Sequence, residues 1–256
     1  MIEALFFDID GTLVDSYDGK IPDSTLFSLQ ELKRRGYRLF VASGRPLCNI
    51  SDEVLKAVLW DGYICSNGAA FHNEEQRLIR SYSFSLPQKE QLFSLCRKNR
   101  ISLVYQTPDE MFCVLKYDDD LENAFSFFHM PVPPCREYRF EEVNMATVYQ
   151  KEGFDFSILN SIDSLCTVKG KAPYADVTLP AYNKGTAIGE CRSLFHIKQD
   201  CLAFGDGDND LKMMESADIS IAMGNATELL KKKATMVTDR VDNDGIYKAL
   251  VQLSLI

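Results

Sequence analysis

Apolar residues follow two different rhythms along this chain. Residues 3–9 form a short apolar run closed by Asp10-Gly11, as a buried strand does where it meets a turn. Pro22-Asp23-Ser24 opens a segment in which Leu26, Leu29 and Leu32 recur at helical spacing, and Gly36 ends it. Residues 38–42 give a second strand ahead of Ser43-Gly44-Arg45-Pro46. A helix carrying Ile50, Val54, Leu55 and Val58 is expected next, then a third strand over 62–66 ending at Asn67-Gly68. Strands alternating with helices in this way build a parallel sheet with helical crossovers.

From about residue 82 to 182 the rhythm changes. A helix over 87–98, strands over 101–105 and 111–116, a helix over 118–129 and a strand over 145–149 read as an α+β pattern. Phe125, Phe127 and Phe128 are expected in its core. The first rhythm returns after Asn183. A helix carries Ala187, Ile188 and Cys191, a strand covers 200–205, and a helix passes through Met213 and Met214. A strand over 218–222, a helix near 226–233 and a strand near 235–238 follow. The expected fold is therefore α/β, a Rossmann-like three-layer core with a parallel sheet and an inserted α+β domain. The core takes residues 1–82 and 183–256, and the insert takes 83–182.

Composition narrows the function. Of 256 residues, 46% are hydrophobic and 25% charged, so the chain has apolar surface enough to fold. The 37 acidic residues exceed the 28 basic ones, for a formal charge of −9. That field repels nucleic acids and anionic membranes, and no apolar run approaches the roughly 20 residues of a membrane span. The start of the chain lacks the basic segment of an export signal. The eight cysteines are scattered without zinc-ligand spacing and read as reduced thiols of a cytoplasmic protein. His72, His129 and His196 sit in no motif.

Four clusters carry candidate chemistry, each at the end of an expected strand or the start of an expected helix. Asp8-Ile9-Asp10-Gly11-Thr12-Leu13 places two carboxylates on one side of an extended segment, where a cation would relieve their repulsion. A carboxylate can also act as a nucleophile toward phosphorus. Ser43-Gly44-Arg45 offers a hydroxyl and an open backbone N–H to an anionic oxygen. Lys184 opens a helix, where a cation opposes the helix dipole unless it faces a phosphate or a carboxylate cluster. Gly205-Asp206-Gly207-Asp208-Asn209-Asp210 offers oxygen ligands suited to a hard cation. It is not an EF-hand, because Leu211 and Ala217 stand where that loop needs glycine and glutamate. It is not a dinucleotide fingerprint either, because Asp210 replaces the last glycine. Taken singly, each cluster also fits an ordinary turn or a solvated lysine.

Together and in this order, they resemble the four motifs of the haloacid dehalogenase-like hydrolases. Asn67-Gly68-Ala69 and the insertion after it are similar to the Cof-type branch, which carries a large α/β (C2-type) cap. The resemblance implies a Mg²⁺-dependent phosphatase acting on small phosphorylated metabolites such as sugar phosphates, pyridoxal phosphate or flavin mononucleotide. By motif position, Asp8 is the nucleophile and Asp10 the acid and base. Mg²⁺ falls to the Asp8 carboxylate, the Asp10 backbone carbonyl and Asp206, with Asp210 in support. Ser43, Gly44, Lys184 and Asn209 hold the phosphoryl oxygens, while Arg45 serves structure or substrate. Asp208, an extra acid in the last motif, is expected to face solvent. A phosphomutase on the same scaffold and a non-catalytic metabolite-binding protein are the alternatives. A monomer or weak homo-oligomer is expected, with neither nucleic acid nor membrane as partner.

Overall fold

The structure is a computed structural model that describes all residues except 16, 18, 118, 128–130 and 171–172, together with the side chain of 127. Phe128 and His129 thus lie outside the described residues. The chain divides into two compact units, Met1–Arg45 with Ile50–Arg80 and Asn183–Ile256, and Pro46–Asn49 with Ser81–Tyr182.

In chain order the first unit begins with β1 (Ile2–Phe7), α1 (Asp23–Arg34), β2 (Arg38–Ala42), α2 (Asp52–Ala57), β3 (Gly62–Cys65), β4 (Ala70–Asn73) and β5 (Leu78–Ser81). The second unit holds α3 (Leu86–Lys98), β6 (Ser102–Gln106), β7 (Met111–Leu115), α4 (Asp120–Phe127), β8 (Met145–Tyr149), β9 (Cys166–Lys169) and β10 (Tyr174–Thr178). The chain then completes the first unit with α5 (Lys184–Leu194), β11 (Asp200–Gly205), α6 (Leu211–Ser216), β12 (Ile219–Ala222), α7 (Glu228–Lys233), β13 (Met236–Val237) and α8 (Gly245–Gln252).

The first unit is an eight-stranded sheet in the order β13-β12-β11-β1-β2-β3-β4-β5. The pairs from β13 through β3 are parallel, and β4 runs antiparallel to β3. The expected parallel sheet runs from β13 through β3, and β4 extends it as an antiparallel strand. From β1 the chain steps one way to β2 and β3, and from β11 the other way to β12 and β13. Right-handed crossovers in opposite directions put helices on both faces. α1 packs on α8, and α5 packs on α6, giving three layers. The central strands are apolar on both sides because both faces are covered. Phe6 stacks on Phe40 at 5.0 Å between ring centres, and Phe7 on Phe204 at 5.2 Å. Burying each of these rings contributes about 1.5–3 kcal/mol. Trp60 presents its edge to Phe7, and its indole N–H donates to the Val54 carbonyl at 2.8 Å.

Several boundaries move for local reasons. Ser51 caps α2, its hydroxyl accepting from the Val54 N–H, so Ile50 falls outside the helix and Val58 is extended. The third strand stops at Cys65 because Ser66 and Asn67 turn into left-handed backbone, with φ of 50° and 54°. β4, β5, β9, β10 and α8 have no counterpart in the sequence reading. Four of them are short strands whose apolar runs are interrupted by polar residues such as His72, Arg80, Thr167 and Asp176, and α8 opens on Gly245 after Asp244, a dipeptide that reads as a turn.

The second unit is a five-stranded sheet in the order β7-β6-β8-β10-β9, its neighbours antiparallel. Leu92 and Cys96 of α3 pack with Leu103, Tyr105, Ala146, Val148, Ala175 and Val177 of the sheet. Leu121, Ala124 and Phe125 of α4 pack with Val104, Cys113 and Tyr149. Gln106 donates to the Thr147 hydroxyl, which donates to Asp176, a side-chain relay across β6, β8 and β10 at 3.0 Å per bond.

Candidate active site

β11, β1 and β2 are adjacent, and the chain leaves β1 and β11 in opposite directions across the sheet. The crevice outside the carboxyl ends of strands at such a switch point is where open α/β sheets bind ligands. Asp8 follows β1, Ser43 follows β2 and Asp206 follows β11, so three of the four sequence clusters meet at one edge.

The fourth arrives on α5. Asn183 caps this helix, its Oδ1 accepting from the Gly185 and Thr186 N–H groups at 3.0 and 3.1 Å. Lys184 is thereby fixed in the first turn with no side-chain exposure. Its Nζ donates to Asp8 Oδ1 at 2.5 Å and to Asp210 Oδ1 at 2.7 Å. The cation that opposes the helix dipole is held by two buried carboxylates. The other oxygen of Asp210 accepts from the Asp206 and Gly207 N–H groups, both at 3.0 Å, and so shapes its own loop.

Asp8, Asp206 and Asp210 are all buried, with one ligand oxygen from each lying within 4.8 Å of the others. Three carboxylates face the Lys184 ammonium out of water, and if all three are ionised two negative charges are left unbalanced. Burial pushes the Asp8 carboxyl up to about 8, with Asp210 adding to the rise and Lys184 opposing it. Burial alone would lower the Lys184 ammonium, but Asp210 and Asp8 outweigh it and hold its pKa above the usual value. A bound dication reverses such carboxylate shifts. The charge excess and the all-oxygen donor set fit Mg²⁺ or another hard dication.

Asp10 stands apart from this group. Arg45 grips its carboxylate with two donors, Nε at 2.9 Å and Nη2 at 2.6 Å. Ser43 is buried, and its hydroxyl accepts from the Arg45 N–H at 3.1 Å. Asn209 donates to Asn67 Oδ1 at 3.5 Å. The side chain of Asn67 also lies against Gly44, where a Cβ would come within 3.1 Å of Oδ1. Asp208 is exposed and accepts from the Thr227 hydroxyl. Gly11 has φ of 85°, and a Cβ there would lie 2.2 Å from Asp206 Oδ2. The sequence motif needs glycine at that position on both counts.

Asn67 and Asn225 received no role from the sequence. Asn67 carried only the resemblance signal of Asn67-Gly68-Ala69, and Asn225 sits in a turn after β12 without any motif.

The haloacid dehalogenase-like hydrolase family model matches residues 5–250, and the chain belongs to that family. BT1666 from Bacteroides thetaiotaomicron, described among the phosphatases of this superfamily, superposes with a TM-score of 0.90 at 28% identity, covering 100% of this chain and 96% of its own. BT4131, described as a HAD subclass IIB sugar phosphatase, does so with a TM-score of 0.90 at 32% identity, covering 99% and 100%. Among curated proteins, Bacillus subtilis YkrA is 30% identical over 260 residues, 98% of each chain. The 5-amino-6-(5-phospho-D-ribitylamino)uracil phosphatase YitU of Bacillus subtilis is 26% identical over 256 residues, 95% of this chain and 94% of its own. A Streptococcus pyogenes protein whose name joins a phosphatase to a peptidyl-prolyl cis-trans isomerase is 28% identical over 261 residues, and this chain spans 54% of its length. The fold and these relatives define a phosphatase-type hydrolase of the haloacid dehalogenase-like family.

Proposed function

We propose that this protein hydrolyses small phosphomonoesters, sugar phosphates among them, with Mg²⁺ and through an aspartyl-phosphate at Asp8. The observation that carries the reading is the buried group of Asp8, Asp206, Asp210 and Lys184 at the switch point, three carboxylates to one ammonium. Phosphoryl transfer needs positioning and charge neutralisation above all. Mg²⁺, when bound by Asp8, Asp206 and Asp210 with the Asp10 carbonyl, would supply positive charge toward the phosphoryl oxygens.

The protein's own groups then divide the work. Asp8 attacks phosphorus, the ester P–O bond breaks, and Asp10 gives its proton to the departing alkoxide oxygen. Asp10 next takes a proton from the water that attacks the acyl phosphate, which frees inorganic phosphate and restores Asp8. In the resting protein Arg45 holds the Asp10 carboxylate through its paired bonds. Ser43, the Gly44 N–H, Lys184 and Asn209 hold the phosphoryl oxygens. The relatives named for sugar phosphate and phosphoribitylamino-uracil substrates support this substrate class.

The test is phosphate release from a panel of sugar phosphates and nucleotides with Mg²⁺. Stoichiometric phosphate together with the free alcohol is expected. An isomerised sugar phosphate without phosphate release, or no turnover of any member by folded protein, would overturn the reading.

A further inference from the structure

Asn225 lies in the turn after β12, and its amide joins three distant segments. Nδ2 donates to the Gly11 carbonyl at 2.7 Å and to Asp206 Oδ2 at 3.1 Å, while Oδ1 accepts from the Val241 N–H at 3.0 Å. The turn itself is tied to the end of β11. The Met223 N–H donates to the Gly205 carbonyl, and the Thr227 N–H to the Asp206 carbonyl, both at 3.0 Å. From the far side, the Gly224 N–H donates to the Asp239 carbonyl at 2.9 Å. Asn225 is thus held on a braced turn, with its acceptor committed to Val241 and its donors aimed at the loops carrying Asp8 and Asp206.

The Asp206 carboxylate is 2% exposed and lies close against Gly11, where even a methyl group would collide with Oδ2. A carboxylate in so tight a place has its plane set by what its oxygens touch. One bond to Oδ2 and another to the Gly11 carbonyl fix Asp206 relative to the Asp8 loop.

We infer that Asn225 is a positioning residue for the divalent-cation site, orienting Asp206 and tying it to the Asp8–Gly11 loop before the ion arrives. The inference rests on the cation site proposed above. A neutral amide suits the role, because it donates to the carboxylate without competing for the ion as another carboxylate would. Groups that orient a metal ligand typically change metal affinity 10–100-fold when removed.

The experiment titrates purified full-length protein with MgCl₂ by calorimetry and by the Mg²⁺-dependent rise in melting temperature. Wild type is compared with Asn225→Ala and Asn225→Ser. The serine variant keeps a small polar side chain in the turn but is too short to span Gly11 and Asp206. Each variant should bind Mg²⁺ at least about 10-fold more weakly. Turnover of a phosphomonoester should recover toward the wild-type kcat as Mg²⁺ is raised. A residue that only braces the turn would lower the melting temperature in chelator and leave Mg²⁺ affinity unchanged. That result in either folded variant, or a lost kcat that Mg²⁺ does not restore, would overturn the inference. Absence of Mg²⁺ binding by the wild type would overturn the cation site as well. Normal wild-type binding with unaltered variants would remove Asn225 alone.

Discussion

The carboxyl edge of the parallel strands and the antiparallel sheet of the second unit handle buried polarity in opposite ways. In the second unit, Gln106, Thr147 and Asp176 are chained together, and Lys89, Ser102 and Asn144 bond to backbone carbonyls among aliphatic and aromatic neighbours. At the strand edge, like charges are crowded instead, three carboxylates together with one lysine bridging Asp8 and Asp210. The first arrangement sets a single carboxylate, Asp176, against neutral groups. The second carries more carboxylates than its one lysine can balance, which is why the proposed function is placed there.

The largest test of this contrast is at Asp8. Asp8→Asn removes the proposed nucleophile while keeping shape, and kcat for a phosphomonoester should fall by at least about 10³-fold with the melting temperature preserved. Substantial residual turnover would break the assignment. Lys184→Met comes next. It leaves Asp8 and Asp210 buried without their cation, and denaturant unfolding in chelator should show a loss of about 3–5 kcal/mol. A loss below about 1 kcal/mol would mean the cluster is less strained than its charges imply.

Leu103→Ala probes the other side. This fully buried residue of the second unit should cost about 2–5 kcal/mol of stability while Mg²⁺ affinity stays at the wild-type value. A matching loss of Mg²⁺ affinity would show that the two regions are not energetically separate. The last test is one of sign, read between two pH values. Asp8 rises from an ordinary 3.8 to about 8 in the folded protein, so the folded state keeps a proton that the unfolded chain gives up. Stability in chelator should therefore be fullest below pH 4 as far as this group is concerned, and decline as pH rises toward 8. Mg²⁺ should offset the decline, by more at pH 8 than at pH 6. Melting curves with chelator and with Mg²⁺ at both values check the sign.

The same contrast explains what the sequence made legible. The strand-edge chemistry requires particular residue types at fixed spacing, so Asp8, Lys184, Asp206 and Asp210 stand out, and the structure gathers them into one group. β1, β2 and β11 announce themselves as apolar runs closed by glycine-containing turns. Asn225 was silent because it acts across a gap of 214 residues to Gly11, and no local pattern encodes such a distance. Asp10 was legible as a carboxylate, but its paired hold by Arg45 depends on how β1 and β2 lie side by side. In the second unit β9 and β10 are short, and a few residues of alternation do not rise above chance. Antiparallel strands joined by turns need only a suitable face, and many sequences provide one.

The position of Trp60 has a practical consequence. It is the only tryptophan in the chain, it belongs to the first unit, and its ring meets Phe7, the residue immediately before Asp8. Excited at the red edge of aromatic absorption, the protein emits from a single site at the floor of the strand edge. The second unit, rich in tyrosine, stays dark at that wavelength. Intrinsic fluorescence therefore follows melting of the parallel sheet alone, while far-ultraviolet dichroism follows both units. The difference between the two curves measures how independently the units unfold, without any label.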